Sequence, residues 1–295
     1  MELKKASRKQ LKLKVALNGS SGSGKTTSAL LIAYGLTNSW DKVAVIDTEN
    51  RSSELYVGMK VNDLTIGEFN TIQISKPYSP EKYVQAIEMC LKENEIECII
   101  IDSASHEWEG SGGVLDIHTT MTGNSFTNWG KLTPRHNKFI ETIVNAPKHI
   151  IATFRSKSDY VMSEKNGKQV PEKVGLKAIT REGVDYEFTL CFDIDIKHNA
   201  VASKDRTNLF MDKPDFVITS ETGNILKKWS ETGTEAINPM DEINKIKGLL
   251  DDCLTLEQLG ITWTALNPEQ KNLPGILEHK DKLKATLKYR SIRYT

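Results

Sequence analysis

Residues 19–27 read Gly-Ser-Ser-Gly-Ser-Gly-Lys-Thr-Thr and match the spacing G-x-x-x-x-G-K-[ST]. Gly19, Gly22 and Gly24 permit backbone angles closed to other residues. Successive N–H groups can therefore turn inward at a helix N-terminus, where the helix dipole also favours an anion. The flanks supply the context this needs. Leu13-Lys14-Val15-Ala16-Leu17 alternates like a strand, and Ser28–Leu36 carries apolar residues at helical spacing up to a stop at Asn38 or Ser39. The pattern predicts a cradle for a nucleoside triphosphate, ATP, formed by Gly19, Ser20, Ser21, Gly22, Ser23, Gly24, Lys25, Thr26 and Thr27. Lys25 brings a charge to the β- and γ-phosphates, and the Thr26 hydroxyl ligates Mg²⁺. The alternative, a chance glycine-serine turn, lacks a reason for the strand and helix on either side.

The chain then alternates strand and helix. Lys42–Ile46 is a strand ending in Asp47-Thr48-Glu49, and Pro80–Lys92 is a helix with Ser79 as N-cap and Pro80 at its first position. Glu97–Asp102 is an apolar strand closing on an aspartate. Such a strand is buried on both faces, and its Asp102 orients Mg²⁺ or the water around it; a buried parallel strand ending in a helix-capping aspartate is the alternative. A helix over Pro134–Val144 and a strand over His149–Phe154 continue the pattern. Repeated βα units predict an α/β fold, a mostly parallel sheet flanked by helices. Ligands of such sheets sit beyond the carboxyl ends of the strands, which puts Glu49 on the edge that faces the γ-phosphate.

Composition excludes several classes. Charged residues are 26% and hydrophobic ones 38%, against disorder or a fibrous chain. No apolar run approaches a membrane span, and Met1-Glu2-Leu3-Lys4-Lys5 lacks the core of a signal peptide, so no membrane association and an intracellular, cytoplasmic location are expected. Cys90, Cys98, Cys191 and Cys253 are too scattered for a zinc or redox motif and read as buried thiols. Thirty-nine basic residues balance 39 acidic ones, which argues against a uniformly basic coat but leaves local patches open.

Those patches are three. Residues 1–12 form a basic arm; 155–181, a long loop or flexible hairpin, holds more basic than acidic residues; and Lys280–Tyr294 is a basic helix. A solvated surface is the plain reading of each. Long loops in compact domains usually serve function. Tyr186–Ile196 and Phe216–Ile218 read as further strands, with a turn through Lys197-His198-Asn199. The core is expected over 13–229, a linker over 230–238, and helices over 239–295, started by Asn238-Pro239, Thr255-x-x-Gln258 and Asn267-Pro268-x-Gln270.

Glu49 lies after the strand that follows the phosphate-loop helix, rather than beside Asp102. In this the chain resembles the RecA-like ATPases, and within them the phage nucleotide-binding proteins of single-strand annealing and recombination. The resemblance spans roughly 11–220 and is carried by Ile101-Asp102-Ser103, Trp108-Glu109-Gly110, Trp129–Arg135 and Lys204-Asp205-Arg206-Thr207. It implies a RecA-like P-loop core with a small helical C-terminal region, a homo-oligomer, ring or filament, and host cytoplasm if phage-encoded. Glu49 would orient the attacking water, and Lys204 and Arg206 would reach a neighbour's γ-phosphate. Lys165, Lys168, Lys173, Lys177 and Arg181 would hold single-stranded DNA, with Tyr160 stacking on a base and a single-strand DNA-binding protein as a further partner. A solvated turn paired through Asp205 is the alternative for Lys204 and Arg206. RecA-type proteins carry glutamine where this strand ends Thr153-Phe154-Arg155, so the resemblance assigns no γ-phosphate sensor to Thr153. A small-molecule phosphotransferase and a scaffold holding structural ATP are the competing classes.

Overall fold

The computed structural model describes residues 5–165, 168–234 and 239–293. In chain order the elements are β1 (Lys14–Gly19), α1 (Lys25–Thr37), β2 (Val43–Asp47), a short ribbon of β3 (Lys60–Val61) and β4 (Leu64–Thr65), β5 (Asn70–Gln73), α2 (Pro80–Lys92) and β6 (Cys98–Asp102). Then come α3 (Ser105–Glu109), α4 (Val114–Thr120), α5 (Ser125–Asn145), β7 (His149–Lys165), β8 (Lys168–Ala178), β9 (Leu190–Ile194), β10 (Asn199–Asp205), β11 (Phe216–Val217) and α6 (Ser220–Ser230). The final helices are α7 (Pro239–Asp251), α8 (Leu256–Ala265), α9 (Pro268–Lys271) and α10 (Ile276–Arg293).

The main sheet runs β11-β10-β9-β1-β7-β6-β2-β5. From β9 to β5 every pairing is parallel, and β10 and β11 are antiparallel. It is the mixed, mostly parallel sheet flanked by helices that the alternation predicts. Alternate residues of each strand feed opposite cores. Ala44, Ile46, Ile99, Ile101 and Ile150 pack with Tyr83 and Ile87 of α2 and Phe139 and Ile143 of α5. Val43, Val45, Ile100 and Ile151 pack with Leu30, Ile32 and Leu36 of α1 and Leu226 of α6. Burying each of these side chains contributes roughly 1.5–3 kcal/mol, so the sheet is the rigid platform of the site.

The sequence pattern leaves α6 unread, and glycine places it. A Cβ at Gly35 of α1 would lie 2.1 Å from the Ser220 carbonyl oxygen, and one at Gly223 would lie 2.3 Å from that of Ile32. The two helices therefore touch backbone to backbone.

Three expectations are corrected, and the choice left open over 155–181 is resolved. Helix α5 begins at Ser125, well before Pro134, because the Asn124 side chain accepts from the Phe126 and Thr127 N–H groups and caps it; Pro134 lies inside the helix on its exposed side. The 155–181 segment is a hairpin: β7 continues beyond the sheet and pairs with β8 from Ser156↔Ala178 to Lys165↔Lys168. The strand expected over 186–196 is confined to β9, preceded by a 3-10 turn at Val184–Glu187. Part of the basic arm is also engaged. Arg8 lies 4.4 Å over the Trp229 ring and donates to the Trp229 carbonyl at 2.8 Å.

The chain divides into two compact units, Met1–Gly233 and Thr234–Thr295. The second has its own core of Ile243, Ile246, Leu250, Leu259, Ile276 and Leu287. Its α8 starts on the capping box read from the sequence, Thr255 with Gln258. The four cysteines are buried and free.

Candidate nucleotide-binding and catalytic site

Adjacent strands β1, β7, β6 and β2 bring their carboxyl ends to one edge, with Gly19 beside Arg155 and Asp47 beside Asp102. The phosphate loop closes that edge. Gly22 and Gly24 stand at φ 78° and 86°, left-handed angles that favour glycine. A Cβ on Gly19 would lie 2.2 Å from Ser23 Oγ and 2.9 Å from the Ile194 backbone carbonyl oxygen, so a side chain there would force both the loop and the neighbouring strand to shift. Ser23 is buried, and its hydroxyl has no hydrogen-bond partner among the described residues. Lys25 Nζ donates to the Ser20 carbonyl at 2.8 Å inside the same loop. Burial pulls the Lys25 pKa below its ordinary value, Asp102 and Glu49 oppose that pull, and Arg155 adds to it. A bare cradle with an orphaned hydroxyl and a desolvated cation is chemistry suited to phosphate oxygens.

Thr26 and Asp102 meet as the sequence predicts, Thr26 Oγ1 donating to Asp102 Oδ2 at 2.6 Å. Thr153 Oγ1 donates to Asp102 Oδ1 at 2.5 Å from the strand between. Asp102 is buried, and burial pushes its carboxyl pKa up, partly offset by these two hydroxyls. A carboxylate and a hydroxyl side by side form the hard oxygen donor set that suits Mg²⁺. The residues present therefore fit the metal that the loop implies.

Glu49 is held by its neighbours. Its N–H donates to Asp47 Oδ1 at 2.6 Å, while Ser53 N–H and Oγ donate to Asp47 Oδ2 at 2.9 and 2.5 Å. The loop between turns through two left-handed residues, Asn50 and Arg51, at φ 55° and 61°. Left-handed residues other than glycine are uncommon and cluster at functional sites. The Glu49 carboxylate pairs with Arg155 Nη2 at 2.8 Å. Both line a cleft of about 400 Å³ with Thr48, Lys76, Tyr78 and His106. Thr48 Oγ1 lies 2.8 Å from His106 Nδ1, and Tyr78 stacks on that ring at 4.9 Å. Burial lowers the His106 pKa, and Arg155 adds to the effect.

Other expected residues lie elsewhere. Register sets Lys204 beside Cys191 and Asp205 beside Leu190, at the amino end of β9, away from the phosphate loop of their own chain. Lys204 Nζ donates to the Asp185 and Tyr186 carbonyls at 2.8 and 2.6 Å, and Arg206 Nη2 to Tyr186 at 2.7 Å. Asp205 binds the Thr207, Phe210 and Met211 N–H groups, rather than forming the ion pair expected of a solvated turn. Of the hairpin residues, Lys177 pairs with Glu182 at 3.4 Å and Arg181 donates to Asn137 at 3.4 Å. The side chains of Tyr160, Lys165, Lys168 and Lys173 lie outside the described residues. Arg135 of the Trp129–Arg135 motif forms a two-pronged pair with Glu81 at 2.6 and 2.8 Å, which holds that carboxyl down at about 2. Trp108 and Trp129 stack on each other at 5.9 Å, half-buried.

Several residues join the site that the sequence did not assign to it, Thr48, Lys76, Tyr78 and His106 among them, and two more touch Glu49 and the phosphate loop directly. One is Arg155; the other is His198, whose Nδ1 lies 3.0 Å from the Ser23 carbonyl and buttresses the phosphate loop from the β9–β10 turn. A non-local contact of that kind has no signal in the sequence.

A family model described as an AAA domain matches residues 11–226. The chain belongs to this family of P-loop ATPases. The match covers the AAA domain from the start of β1 to α6, and so includes every residue of the site just described. No curated protein matches the chain. Among the described residues no helix is long and apolar enough to cross a membrane, and no cluster of three or more metal-ligating side chains occurs.

Proposed function

We propose that this AAA-domain protein hydrolyses ATP, assembles as a homo-oligomer on single-stranded DNA, and promotes annealing or recombination. The observation that carries the hydrolytic part is the position of Glu49, a half-exposed carboxylate at a strand end on the same edge as Lys25, Thr26 and Asp102. In this reading Gly19–Thr27 hold the triphosphate, Lys25 carries its β- and γ-charges, and Glu49 takes the proton of the attacking water. Thr26 and Asp102 would hold Mg²⁺, which supplies neutralisation of the phosphoryl charge. Thr153 keeps the Asp102 carboxylate turned to that task through its 2.5 Å bond.

The DNA part is supported by the hairpin. Arg155 is the last β7 residue paired with β1 before the hairpin begins, and its head is on Glu49. An anion drawn to the hairpin base competes with Glu49 for that guanidinium. An ion pair this exposed is worth at most about 1 kcal/mol, weak enough for phosphate to displace. DNA would thereby release the base for water. Lys204 and Arg206, remote from their own phosphate loop, would complete the site of a neighbouring copy.

The test is ATP hydrolysis with and without single-stranded DNA across a salt series, with particle mass followed in parallel. The reading expects stimulation that fades as salt rises and tracks assembly. A rate indifferent to DNA at low salt removes the DNA part. Transfer of phosphate to a nucleoside in place of release to water would establish a phosphotransferase instead.

A further inference from the structure

Three consecutive residues of α3 are buried, and each is bonded to a different element. Ser105 Oγ accepts the Arg155 N–H of β7 at 3.0 Å, and Ala104, just before it, donates its N–H to the Thr153 carbonyl of the same strand at 2.9 Å. His106 Nδ1 lies 2.8 Å from Thr48 Oγ1, beyond the end of β2. The two Glu107 carboxylate oxygens lie 3.1 and 3.0 Å from His136 Nδ1 of α5. A helix of five residues has no stability of its own, and buried polar groups cost free energy unless bonded. The helix therefore sits where all three partners are met.

Thr48 receives the second of these anchors. It is 1% exposed, and each of its polar atoms is engaged. Its N–H donates to the Asp102 carbonyl at 2.7 Å, and its carbonyl accepts the Tyr78 hydroxyl at 3.2 Å. Its Oγ1 accepts the Ser103 N–H at 2.9 Å and lies 3.2 Å from the Ser103 carbonyl. That hydroxyl satisfies His106 in either tautomer: it donates to a bare Nδ1, or it accepts from a protonated one and turns its hydrogen to Ser103. Tyr78 completes the clasp, with its ring stacked on His106 at 4.9 Å and its N–H on the Ser111 carbonyl at 2.9 Å. One side of Thr48 is thus tied to Asp102, the carboxylate suited to Mg²⁺, and the other side is the peptide that begins Glu49.

We propose that Tyr78 and His106 are positioning residues: through Thr48 they hold the backbone of Glu49 at a fixed distance from Asp102. Ser105, on the same helix, holds the backbone of Arg155, the cation paired with that carboxylate. The inference rests on Glu49 being the base proposed above. Attack on a phosphoryl group tolerates little misplacement of the group that activates water, so a loosened clasp lowers turnover and leaves nucleotide affinity alone.

Tyr78→Phe tests this, since it removes the hydroxyl and keeps the ring on His106. Turnover should fall about tenfold with ATP affinity within about twofold of the parent's. By NMR the Thr48 and Glu49 amides should exchange hydrogen several-fold faster, while the amides of β1 keep their rates. Thr48→Val, which removes the hydroxyl shared by His106 and Ser103, should act in the same direction; Thr48→Ser, which retains it, should keep about half the parental turnover or more. In a Glu49→Gln background Tyr78→Phe should cost nothing further, because the group it positions is gone. Parental exchange at Thr48 and Glu49 would overturn the clasp. Parental turnover despite faster exchange, or a second full loss in the Glu49→Gln background, would overturn its action on Glu49. Glu49→Gln protein as active as the parent would instead defeat the assignment of the base, and the exchange rates would then decide the clasp on their own.

Discussion

Glu49 and Arg155 are joined by a 2.8 Å ion pair between the end of β2 and the end of the sheet-bound part of β7, across the strand that carries Asp102. The pair is half-exposed, with Arg155 at 43% and Glu49 at 32%, so water screens it and its stability contribution is small. Its significance is positional. It ties the group proposed to activate water to the root of the hairpin proposed to meet DNA.

Arg155→Ala tests that tie. Without the guanidinium the carboxylate has no partner to exchange, so single-stranded DNA should no longer raise the rate, although ATP binding persists. Steady-state hydrolysis with and without DNA measures it. A variant stimulated as strongly as the parent shows that Arg155 does not couple the two sites.

Lys204→Ala protein mixed with Glu49→Gln protein should regain hydrolysis that neither has alone, because each copy supplies what its neighbour lacks. The Lys204 head lies on the Asp185 and Tyr186 carbonyls in its own chain, so thermal midpoints must accompany the assay. A folded but inactive mixture places Lys204 in local structure and outside the reaction.

Lys177→Ala should weaken DNA binding and reduce the slope of log affinity against log salt by about 0.7, the value of one phosphate contact on a single strand. Its partner Glu182 lies at 3.4 Å, and its own side chain is 47% exposed, so the fold should not change. An unchanged slope removes Lys177 from the DNA path.

At the opposite end of the sheet, burial pulls the His149 pKa down to about 3, while in the unfolded chain it titrates near 6.5. Between those values the unfolded state binds the proton and the folded state does not. Stability is therefore intact above about 6.5 and falls as pH drops toward 3, by up to about 1.4 kcal/mol per pH unit from this group. His149 Nδ1 accepts the Leu13 N–H at 3.1 Å, which fixes the neutral form. His149→Gln should flatten the pH dependence of urea unfolding through that window; equal slopes in both proteins would assign acid sensitivity to other groups.

Much of this fold was legible because its signals are local. The phosphate loop, the Cys98–Asp102 strand and the Thr255 cap each occupy one short stretch whose residue types dictate the backbone. What escaped depends on assembly. Helix α6 is set by the Gly35–Gly223 contact, and the first turns of α5 lie ahead of Pro134, which by itself reads as a helix start. Arg155 enters the site because β7 lies between β1 and β6, and strand order is not written in any one segment. His136 and Glu107 meet only when α5 packs against α3.

Hydrolysis by the Glu49→Gln protein is the most direct test of the central claim. The amide keeps the shape and the Asp47 contact of the backbone, but cannot take a proton from water. Nucleotide affinity should stay within a few-fold of the parent while turnover falls by about 10²-fold or more. Turnover equal to the parent's, with affinity unchanged, would contradict the assignment of Glu49 as the base.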